Sequence, residues 1–445
     1  MVVMRFVDRE REMALLQKEW ENKPSFVVLY GKRRVGKTRL LQEFSKDKNP
    51  FFFTFSETVK EIQIQEFKRE LGKFLNDKWL EKLELNDWKE LFTYMADKIP
   101  EKSLIIFDEF TYAIKSDRKI LSDLQRVWDH HLSKKAVMLV ISGSLLGMMW
   151  DDVLSYASPL YGRRTRDIHL KELDYLNTLK FFEDRNYGVK VYMLVGGTPT
   201  YLNVAKRYRT IEDLVKEEFL SDGGFFYNEP YILLSQELRE LKMYFSILSA
   251  ISYGNTRLEE IANFVGKPAR SIYPYMENLI RLGFVEKETP ILGKKKRSVY
   301  KIRDNLLLSW FALVYPNWRK IPIGAEVDKN ALVALFSRKF EEVAKEFLIL
   351  KRPFDFKEIG RWWFKGEEID IVAVGEDQIY LFEVKWSDLD EKQAKTALKS
   401  LKRKARLVDF DGDFYYGIIA KSLKNKNDLR EKGFYAFDLE DILAL

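Results

Sequence analysis

The chain has 445 residues, of which 46% are apolar and 32% charged, and a formal net charge of +7 at pH 7. This length exceeds one ordinary hydrophobic core and predicts two to four domains, and the apolar content excludes a disordered chain. The absence of Cys excludes disulfides, thiol nucleophiles and Cys-ligated zinc, so a hard cation such as Mg²⁺ is the metal to expect. No stretch reads as a signal peptide or a membrane span, which predicts a cytoplasmic protein, and the mild positive charge suits an anionic ligand or nucleic acid.

Five apolar runs alternate with amphipathic helical patterns over residues 1–170. The runs occupy residues 25–30, 51–56, 103–110, 136–144 and 166–170. Fully apolar strands separated by helices are typical of a parallel sheet that is covered on both faces. We therefore predict an α/β domain with about five strands over residues 1–170.

The remaining residues predict three further segments. Residues 171–236 have a helical pattern with Gly and Pro punctuation, which indicates a small helical lid. Residues 237–310 contain an apolar helix, two short helices and two strand-like runs, an order typical of a winged helix-turn-helix. Residues 311–445 again alternate strands with helices and predict a second α/β domain.

The segment Gly31 to Thr38 reads GKRRVGKT and lies between an apolar strand and a helical pattern. In such a loop the backbone N–H groups and the N-terminus of the following helix surround phosphate groups with positive dipoles. Gly31 and Gly36 allow the loop to wrap closely, Lys37 reaches the β- and γ-phosphates, and the Thr38 hydroxyl ligates Mg²⁺. The sequence thus predicts an ATP site, completed by Arg34, Val35 and Arg39.

Two acidic residues end the apolar run 103–110. We expect Asp108 to hold Mg²⁺ through water and Glu109 to polarise the attacking water. The alternative is a buried strand whose end is acidic by coincidence, and the upstream loop motif favours the catalytic interpretation. The run 136–144 would bring Ser142 or Ser144 beside the γ-phosphate, unless these residues form an ordinary Ser-Gly turn.

Two adjacent arginines follow, Arg163 and Arg164, in the segment PLYGRRTRD. Arg163 and Arg164 could supply a cation to the developing phosphate charge, in cis or from a neighbouring subunit. A surface salt bridge is the alternative for both residues.

The combination of FVDREREM, GKRRVGKT, IIFDEF, ISGS, PLYGRR and GGTPTYL resembles the archaeal ATPase family of the STAND branch of P-loop NTPases. The resemblance covers about the first 235 residues. It implies an ATP-driven switch that uses Mg²⁺, with a helical lid and a winged helix. It also implies that the segment from Asp8 to Glu12 lies near the adenine, which places Arg9 there. The abundance of Lys and Glu suits a thermophile.

The predicted winged helix offers two basic or polar surfaces to DNA. The recognition helix would present Arg270, Ser271, Tyr273, Tyr275, Asn278 and Arg281 to a groove, and the wing turn would lay Lys294, Lys295, Lys296 and Arg297 over phosphate groups. The alternative is an interdomain spacer with a solvated hairpin tip.

The last domain carries an acidic pattern on two successive strands. Asp370 is followed, after twelve residues, by Glu383 and Lys385, which share one face of a strand because the side-chain period is two. Two carboxylates bind Mg²⁺ well, and a nearby Lys can orient the water that attacks a phosphodiester. The pattern resembles the PD-(D/E)xK nuclease fold, with Ile369 where Pro is common. That resemblance implies a helical carboxylate, for which Glu341 matches best and Glu342 second.

The leading hypothesis is a DNA-processing protein in which ATP or ADP at the P-loop gates a C-terminal Mg²⁺-dependent nuclease domain. The basic helix 392–406 would then follow the DNA backbone, or it forms a solvated face. The alternative is a regulatory ATP switch whose C-terminal domain is a catalytically silent DNA- or protein-binding module. A helicase ranks last because no pore loop is recognisable, and oligomerisation stays open.

Overall fold

A computed structural model describes residues 8–293 and 298–445. The chain divides into two compact units, of which the first contains the residues up to Glu172 together with Thr198–Thr200. The second unit contains Leu173–Gly197 and Tyr201–Leu445. In the described parts of the chain, no helix is both long enough and apolar enough to cross a membrane.

The first unit is built on a five-stranded parallel sheet with the strand order β2-β3-β4-β1-β5. Its elements are α1 (Glu10–Glu21), β1 (Ser25–Tyr30), α2 (Lys37–Ser45), β2 (Phe51–Thr54), α3 (Lys60–Leu75), α4 (Trp88–Lys98), β3 (Leu104–Asp108), α5 (Phe110–Ser116), α6 (Ile120–His130), β4 (Met138–Gly143), α7 (Leu146–Met148) and β5 (Arg166–His169). The five predicted apolar runs contain these five strands, and the run 103–110 also includes Phe110, the first residue of α5. The prediction of an α/β domain with a parallel sheet is confirmed.

Apolar side chains cover both faces of this sheet. Val27 and Leu29 of β1 and Val140 of β4 pack in one cluster with Leu40 and Leu41 of α2. A cluster of aromatic rings on β2, β3, α3 and α4 includes Phe53, Phe55, Phe67, Trp88, Phe92 and Phe107. Because the central strands are buried on both faces, they hold a fixed frame for the loops at their carboxyl ends.

The second unit begins with helices and ends with a mixed sheet. From residue 173 onward the elements are α8 (Tyr175–Leu179), α9 (Arg185–Val195), α10 (Pro199–Ala205), α11 (Ile211–Glu218), α12 (Phe225–Glu237), α13 (Leu241–Ser252), α14 (Leu258–Val265), α15 (Ala269–Arg281), β6 (Val285–Glu288), β7 (Val299–Ile302), α16 (Asn305–Leu313), α17 (Lys329–Lys351), β8 (Glu358–Phe364), β9 (Glu367–Val374), β10 (Gln378–Leu389), α18 (Glu391–Ala405), β11 (Asp413–Leu423), α19 (Lys426–Glu431), β12 (Tyr435–Asp438) and α20 (Leu439–Leu443).

The helix α16 contains the boundary that the sequence predicts between residues 310 and 311. Its Ser309 hydroxyl donates to the Leu194 carbonyl of α9 at 2.6 Å, and the Trp310 indole N–H donates to the Tyr227 carbonyl of α12 at 2.8 Å. Trp310 is fully buried. This helix is therefore packed against α9 and α12 and does not end a domain.

The C-terminal sheet of the second unit has the strand order β12-β11-β10-β9-β8. Strands β8, β9 and β10 pair antiparallel, and β10, β11 and β12 pair parallel. The long helix α17 begins at Lys329, where the Asp328 carboxylate accepts from the backbone N–H groups of Asn330 and Ala331. In chain order this part of the unit consists of α17, the antiparallel strands β8 to β10, the helix α18 and the parallel strand β11, followed by α19, β12 and α20.

Strands β6 and β7 form a short antiparallel hairpin after α14 and α15. We call these two strands, together with the described connecting residues 289–293 and 298, the hairpin. The predicted wing residues Lys294 to Arg297 lie outside the described residues.

Candidate functional site

The predicted phosphate loop follows β1 and enters α2 at Lys37. Gly36 has a φ of +100°, a conformation that favours glycine because it has no Cβ. At Gly31 an added Cβ would lie 2.3 Å from the carbonyl oxygen of Leu170, so the backbone passes too close for any side chain. The two glycines of the motif are therefore required by the local backbone.

Lys37 is buried, and its ammonium donates to the carbonyl oxygens of Gly31 and Lys32, both at 3.0 Å. The buried Arg9 guanidinium donates to the carbonyl oxygens of Val35 at 3.3 Å and Lys171 at 2.7 Å. Arg9 thus braces the loop from the start of α1, whereas its place near an adenine stays a prediction.

Two other loop-motif residues differ in exposure. Val35 is buried, while Arg39 pairs with Glu43 one helical turn further along α2 at 3.7 Å, with half of its side chain exposed. Arg34 has a φ of +68°, a left-handed conformation that is uncommon for a residue with a Cβ. The structure thus places all of these residues on the loop or at the start of α2.

Asp108 at the end of β3 joins the loop to the neighbouring strand β4. Its Oδ2 accepts a hydrogen bond from the Thr38 hydroxyl at 2.7 Å, and its Oδ1 accepts one from the Ser142 hydroxyl. Asp108 and Ser142 are fully buried. Hydroxyl and carboxylate oxygens are the ligands that Mg²⁺ prefers, so Thr38 and Asp108 fit a cation that is bound together with a nucleotide.

Glu109 follows Asp108 with a φ of +51° and directly precedes α5. The Ser144 hydroxyl donates to its Oε2 at 2.7 Å. The two serines that the sequence treats as alternatives therefore hold adjacent carboxylates, Ser142 on Asp108 and Ser144 on Glu109.

Arg163 and Arg164 are both in ion pairs. The Arg163 guanidinium binds both carboxylate oxygens of Asp129, with its Nη2 3.0 Å from Oδ2, and Arg164 binds Asp167 at 2.9 Å. These contacts are the salt bridges that the sequence gives as the alternative, and a role of Arg163 toward ATP stays a prediction.

The predicted recognition helix is α15, and part of its polar surface is used inside the second unit. The Tyr275 hydroxyl donates to Glu240 at 2.5 Å and the Asn278 amide donates to the Tyr244 hydroxyl at 2.8 Å. The side chains that remain at the surface of α15 include Arg270, Ser271, Tyr273 and Arg281.

The predicted C-terminal residues come together on β9, β10 and α17. Asp370 is buried, and its Oδ2 accepts from the Val384 backbone N–H at 2.8 Å. Burial and the neighbouring Glu383 charge raise the pKa of Asp370. Burial disfavours the charged Lys385 ammonium, but the hydrogen bond from this ammonium to Glu383, at 2.6 Å, raises the pKa of Lys385.

Two helical carboxylates stand next to each other on α17, and the structure distinguishes them. Burial raises the pKa of Glu341 to about 7, an effect that Arg361 opposes and the Asp370 charge strengthens. Glu342 instead pairs with Lys339 at 3.1 Å and with Lys301 at 3.7 Å. Of the two, Glu341 is therefore the helical carboxylate that interacts with the charge of Asp370, and its role in a nuclease site stays a prediction. We call Glu341, Asp370, Glu383 and Lys385 the carboxylate site.

Sequence reasoning missed two basic residues at this site. Lys404 of α18 donates to Glu383 Oε2 at 3.0 Å, and Arg361 of β8 lies 3.6 Å from Glu341. Lys404 belongs to the basic helix that the sequence singles out, whereas β8 carries no clear strand pattern. Within the described ranges, no three or more His, Asp or Glu side chains are grouped so that they could hold a metal ion.

Family models match two separate parts of the chain. A model of an ATPase domain found predominantly in Archaea matches residues 6–204, and a model of archaeal and bacterial proteins of unknown function matches residues 310–397. An uncharacterized protein of Methanocaldococcus jannaschii is 37% identical over 456 aligned positions, which cover 98% of this chain and 99% of that protein.

Shorter and structural matches point to the same domain. An uncharacterized ATP-binding protein of the same organism is 45% identical over 47 residues, covering 10% of this chain and 80% of its own. A Walker-type ATPase of Pyrococcus abyssi superposes with a TM-score of 0.51 and 22% identity, covering 69% of this chain and 96% of its own, which shows a shared fold. The chain therefore belongs to a family of archaeal proteins with an N-terminal P-loop ATPase domain.

Proposed function

We propose that this protein hydrolyses ATP with Mg²⁺ in its first unit and that nucleotide state gates Mg²⁺-dependent cleavage of DNA by its C-terminal α/β domain. The observation that carries the nuclease part is the charge interaction between Asp370 and Glu383 on neighbouring strands, beside Lys385, an interaction that also extends from Asp370 to Glu341. The pKa of Asp370 is raised by burial and by Glu383, which indicates carboxylates held close together in a water-poor place.

The roles in the first unit follow from the contacts around the phosphate loop. The loop N–H groups and the Lys37 ammonium would bind the phosphates, and Thr38 and Asp108 would hold the cation. Glu109 would accept a proton from the attacking water, because Ser144 fixes one carboxylate oxygen and leaves the other for that contact. Arg9 would keep the loop in shape through the Val35 carbonyl.

In the carboxylate site, Asp370 and Glu383 would hold Mg²⁺, which when bound neutralises phosphodiester charge and lowers the pKa of a water molecule. Lys385 would orient the attacking water, since its ammonium already lies 2.6 Å from Glu383. The basic residues of α18 would contact the DNA backbone, as Lys404 extends from that helix to Glu383.

The DNA contact is proposed for α15 and the hairpin, which we interpret as a winged helix. The support is the order of α14, α15, β6 and β7 and the surface position of Arg270 and Arg281. Tyr275 and Asn278, which are engaged with Glu240 and Tyr244, would position the helix and not read bases.

A second candidate function is a regulatory ATP switch with a catalytically silent C-terminal domain. One observation favours it: both oxygens of Glu383 accept hydrogen bonds, from Lys385 and Lys404, so this carboxylate is neutralised without a metal. In this case the domain would bind DNA or a protein through the same basic surface.

Cleavage of single-stranded, duplex and branched DNA with Mg²⁺ distinguishes the two candidates. The parent chain is compared with Asp370→Asn and Lys385→Met, and with Lys357→Met as a matched loss of a lysine charge at an exposed position away from the site and from α18. The nuclease proposal predicts cleavage that both site variants lose and that Lys357→Met retains. Absence of cleavage by the parent on every substrate would leave the switch.

A further inference from the structure

The hairpin is packed onto the first strand of the C-terminal sheet. The Ile291 N–H, in the connection between β6 and β7, donates to the Arg361 carbonyl of β8 at 2.8 Å. The Ile291 side chain is buried in one apolar cluster with Trp362, Ile369 and Leu381. The hairpin thus contributes an apolar residue to the core of the domain that contains the carboxylate site.

Arg361 connects the hairpin to the carboxylate site through its side chain. Its guanidinium lies 3.9 Å from Glu288 of β6, 3.6 Å from Glu341 of α17 and 3.3 Å from Glu368 of β9. Only 27% of the Arg361 side chain is exposed. Glu368 accepts a hydrogen bond from this guanidinium, while Glu288 and Glu341 attract it by charge, so the position of Glu288 influences where the guanidinium lies relative to Glu341.

A second contact joins the hairpin to the same helix. The Lys301 ammonium of β7 lies 2.8 Å from Glu286, 3.5 Å from Glu288 and 3.7 Å from Glu342. The two strands of the hairpin therefore reach the two adjacent carboxylates of α17, and Glu288 takes part in both contacts.

We infer that Arg361 is a positioning residue through which the hairpin controls the carboxylate site: while the hairpin is docked on β8, the Arg361 guanidinium pairs with Glu341, and its positive charge opposes the binding of a divalent cation at Asp370 and Glu383. The inference rests on the proposed function, because it assumes that Asp370 and Glu383 bind a cation.

The effect follows from charge. The guanidinium beside Glu341 offsets a negative charge that would otherwise add to the field of Asp370 and Glu383, and this field attracts the divalent cation. A movement of the hairpin that carries Glu288 away from β8 would leave Arg361 less constrained and would weaken this offset. Because the hairpin is also the proposed wing, binding of DNA there would act directly on this contact.

Binding of Mn²⁺ to the full-length chain without nucleotide, measured by isothermal titration calorimetry, tests the inference. Asp370→Asn identifies the part of the binding that belongs to the carboxylate site. Arg361→Gln should raise the affinity of that part by about tenfold, because the competing cation is removed. Arg361→Lys keeps the positive charge without the planar guanidinium, so it should raise the Mn²⁺ affinity less than Arg361→Gln does. It also disturbs folding less than Arg361→Gln, because a cation remains beside the carboxylates.

Lys301→Gln is the matched control, since it removes another hairpin-side cation that contacts Glu342 and not Glu341. It should change the Mn²⁺ affinity less than Arg361→Gln does. Glu288→Gln should alter the affinity in the parent and have little effect in the Arg361→Gln background, because it acts through Arg361.

The outcomes separate the inference from the proposed function. If Asp370→Asn leaves all Mn²⁺ binding unchanged, the carboxylate site is not a cation site and both are overturned. If binding depends on Asp370 but neither Arg361 variant changes its affinity, the inference alone is overturned. Binding that appears only after Arg361 is replaced, and that Asp370→Asn removes, would support both.

Discussion

Replacing Glu346 by Gln should remove a pH-dependent loss of stability from the second unit. Glu346 lies on α17, where its carboxylate accepts from the Tyr192 hydroxyl at 2.8 Å and from the Tyr175 N–H at 3.5 Å. Burial raises the pKa of Glu346 to about 7, and the charges of Glu342 and Asp174 act in the same direction. The folded chain therefore keeps the proton of this carboxyl to a higher pH than the unfolded chain.

The size of the effect follows from the shift. The pKa rises from 4.5 to about 7, and at 1.36 kcal/mol per unit the full difference would be about 3 kcal/mol. Partial exposure of the side chain reduces this to about 2 kcal/mol. The stabilisation is complete below pH 4.5, the ordinary value, and is lost as the pH rises to about 7. A Gln stays neutral at every pH and still accepts from Tyr192.

Thermal or urea unfolding of the second unit at pH 5 and pH 8 measures this effect. The parent should lose stability between the two values, and Glu346→Gln should lose about 2 kcal/mol less. Glu217→Gln, at an exposed position on α11, is the control and should follow the parent. Equal pH dependence in the parent and in Glu346→Gln would refute the assignment of a neutral, buried Glu346.

Three further changes test the nucleotide site. Lys37→Ala should abolish ATP binding, measured with a fluorescent nucleotide, because it removes the cation of the loop; retained affinity would contradict the site. Glu109→Gln should keep ATP binding and slow hydrolysis by about a hundredfold or more, measured as phosphate release; an unchanged rate would exclude Glu109 as the base. Gly31→Ala should impair ATP binding because its Cβ would lie 2.3 Å from the Leu170 carbonyl oxygen. Its control is Gly223→Ala, where an added Cβ meets no atom within 4 Å.

The first unit was predictable because its central strands, β1, β3 and β4, are buried on both faces. Such strands appear in the sequence as continuous apolar runs, and the loop motif between β1 and α2 has fixed spacing. The pairing of Ser142 with Asp108 and of Ser144 with Glu109 was not predictable, since it depends on which strands are neighbours. Both serines were identified as candidates, but their carboxylate partners come from the sheet order.

The second unit was less predictable because the burial of its strand β8 follows no simple pattern and its contacts join segments that are distant in sequence. The strand β8 alternates poorly because Arg361 and Trp362 are both largely buried, one in ion pairs and the other in the core. Its contacts come from the hairpin and α17, which are distant in sequence. The core pattern of Asp370, Glu383 and Lys385 was visible because β9 and β10 follow each other directly and pair antiparallel.

The rate of Mg²⁺-dependent DNA cleavage with and without ATP tests whether nucleotide state controls the C-terminal site. The parent, Lys37→Ala and Glu109→Gln are compared on the same substrate. We expect ATP to change the cleavage rate of the parent and to have no effect on Lys37→Ala. Glu109→Gln should keep the cleavage rate of the ATP-bound parent for as long as ATP is present. Cleavage that depends on Asp370 but proceeds at one rate in all three chains, with or without ATP, would contradict control by nucleotide state.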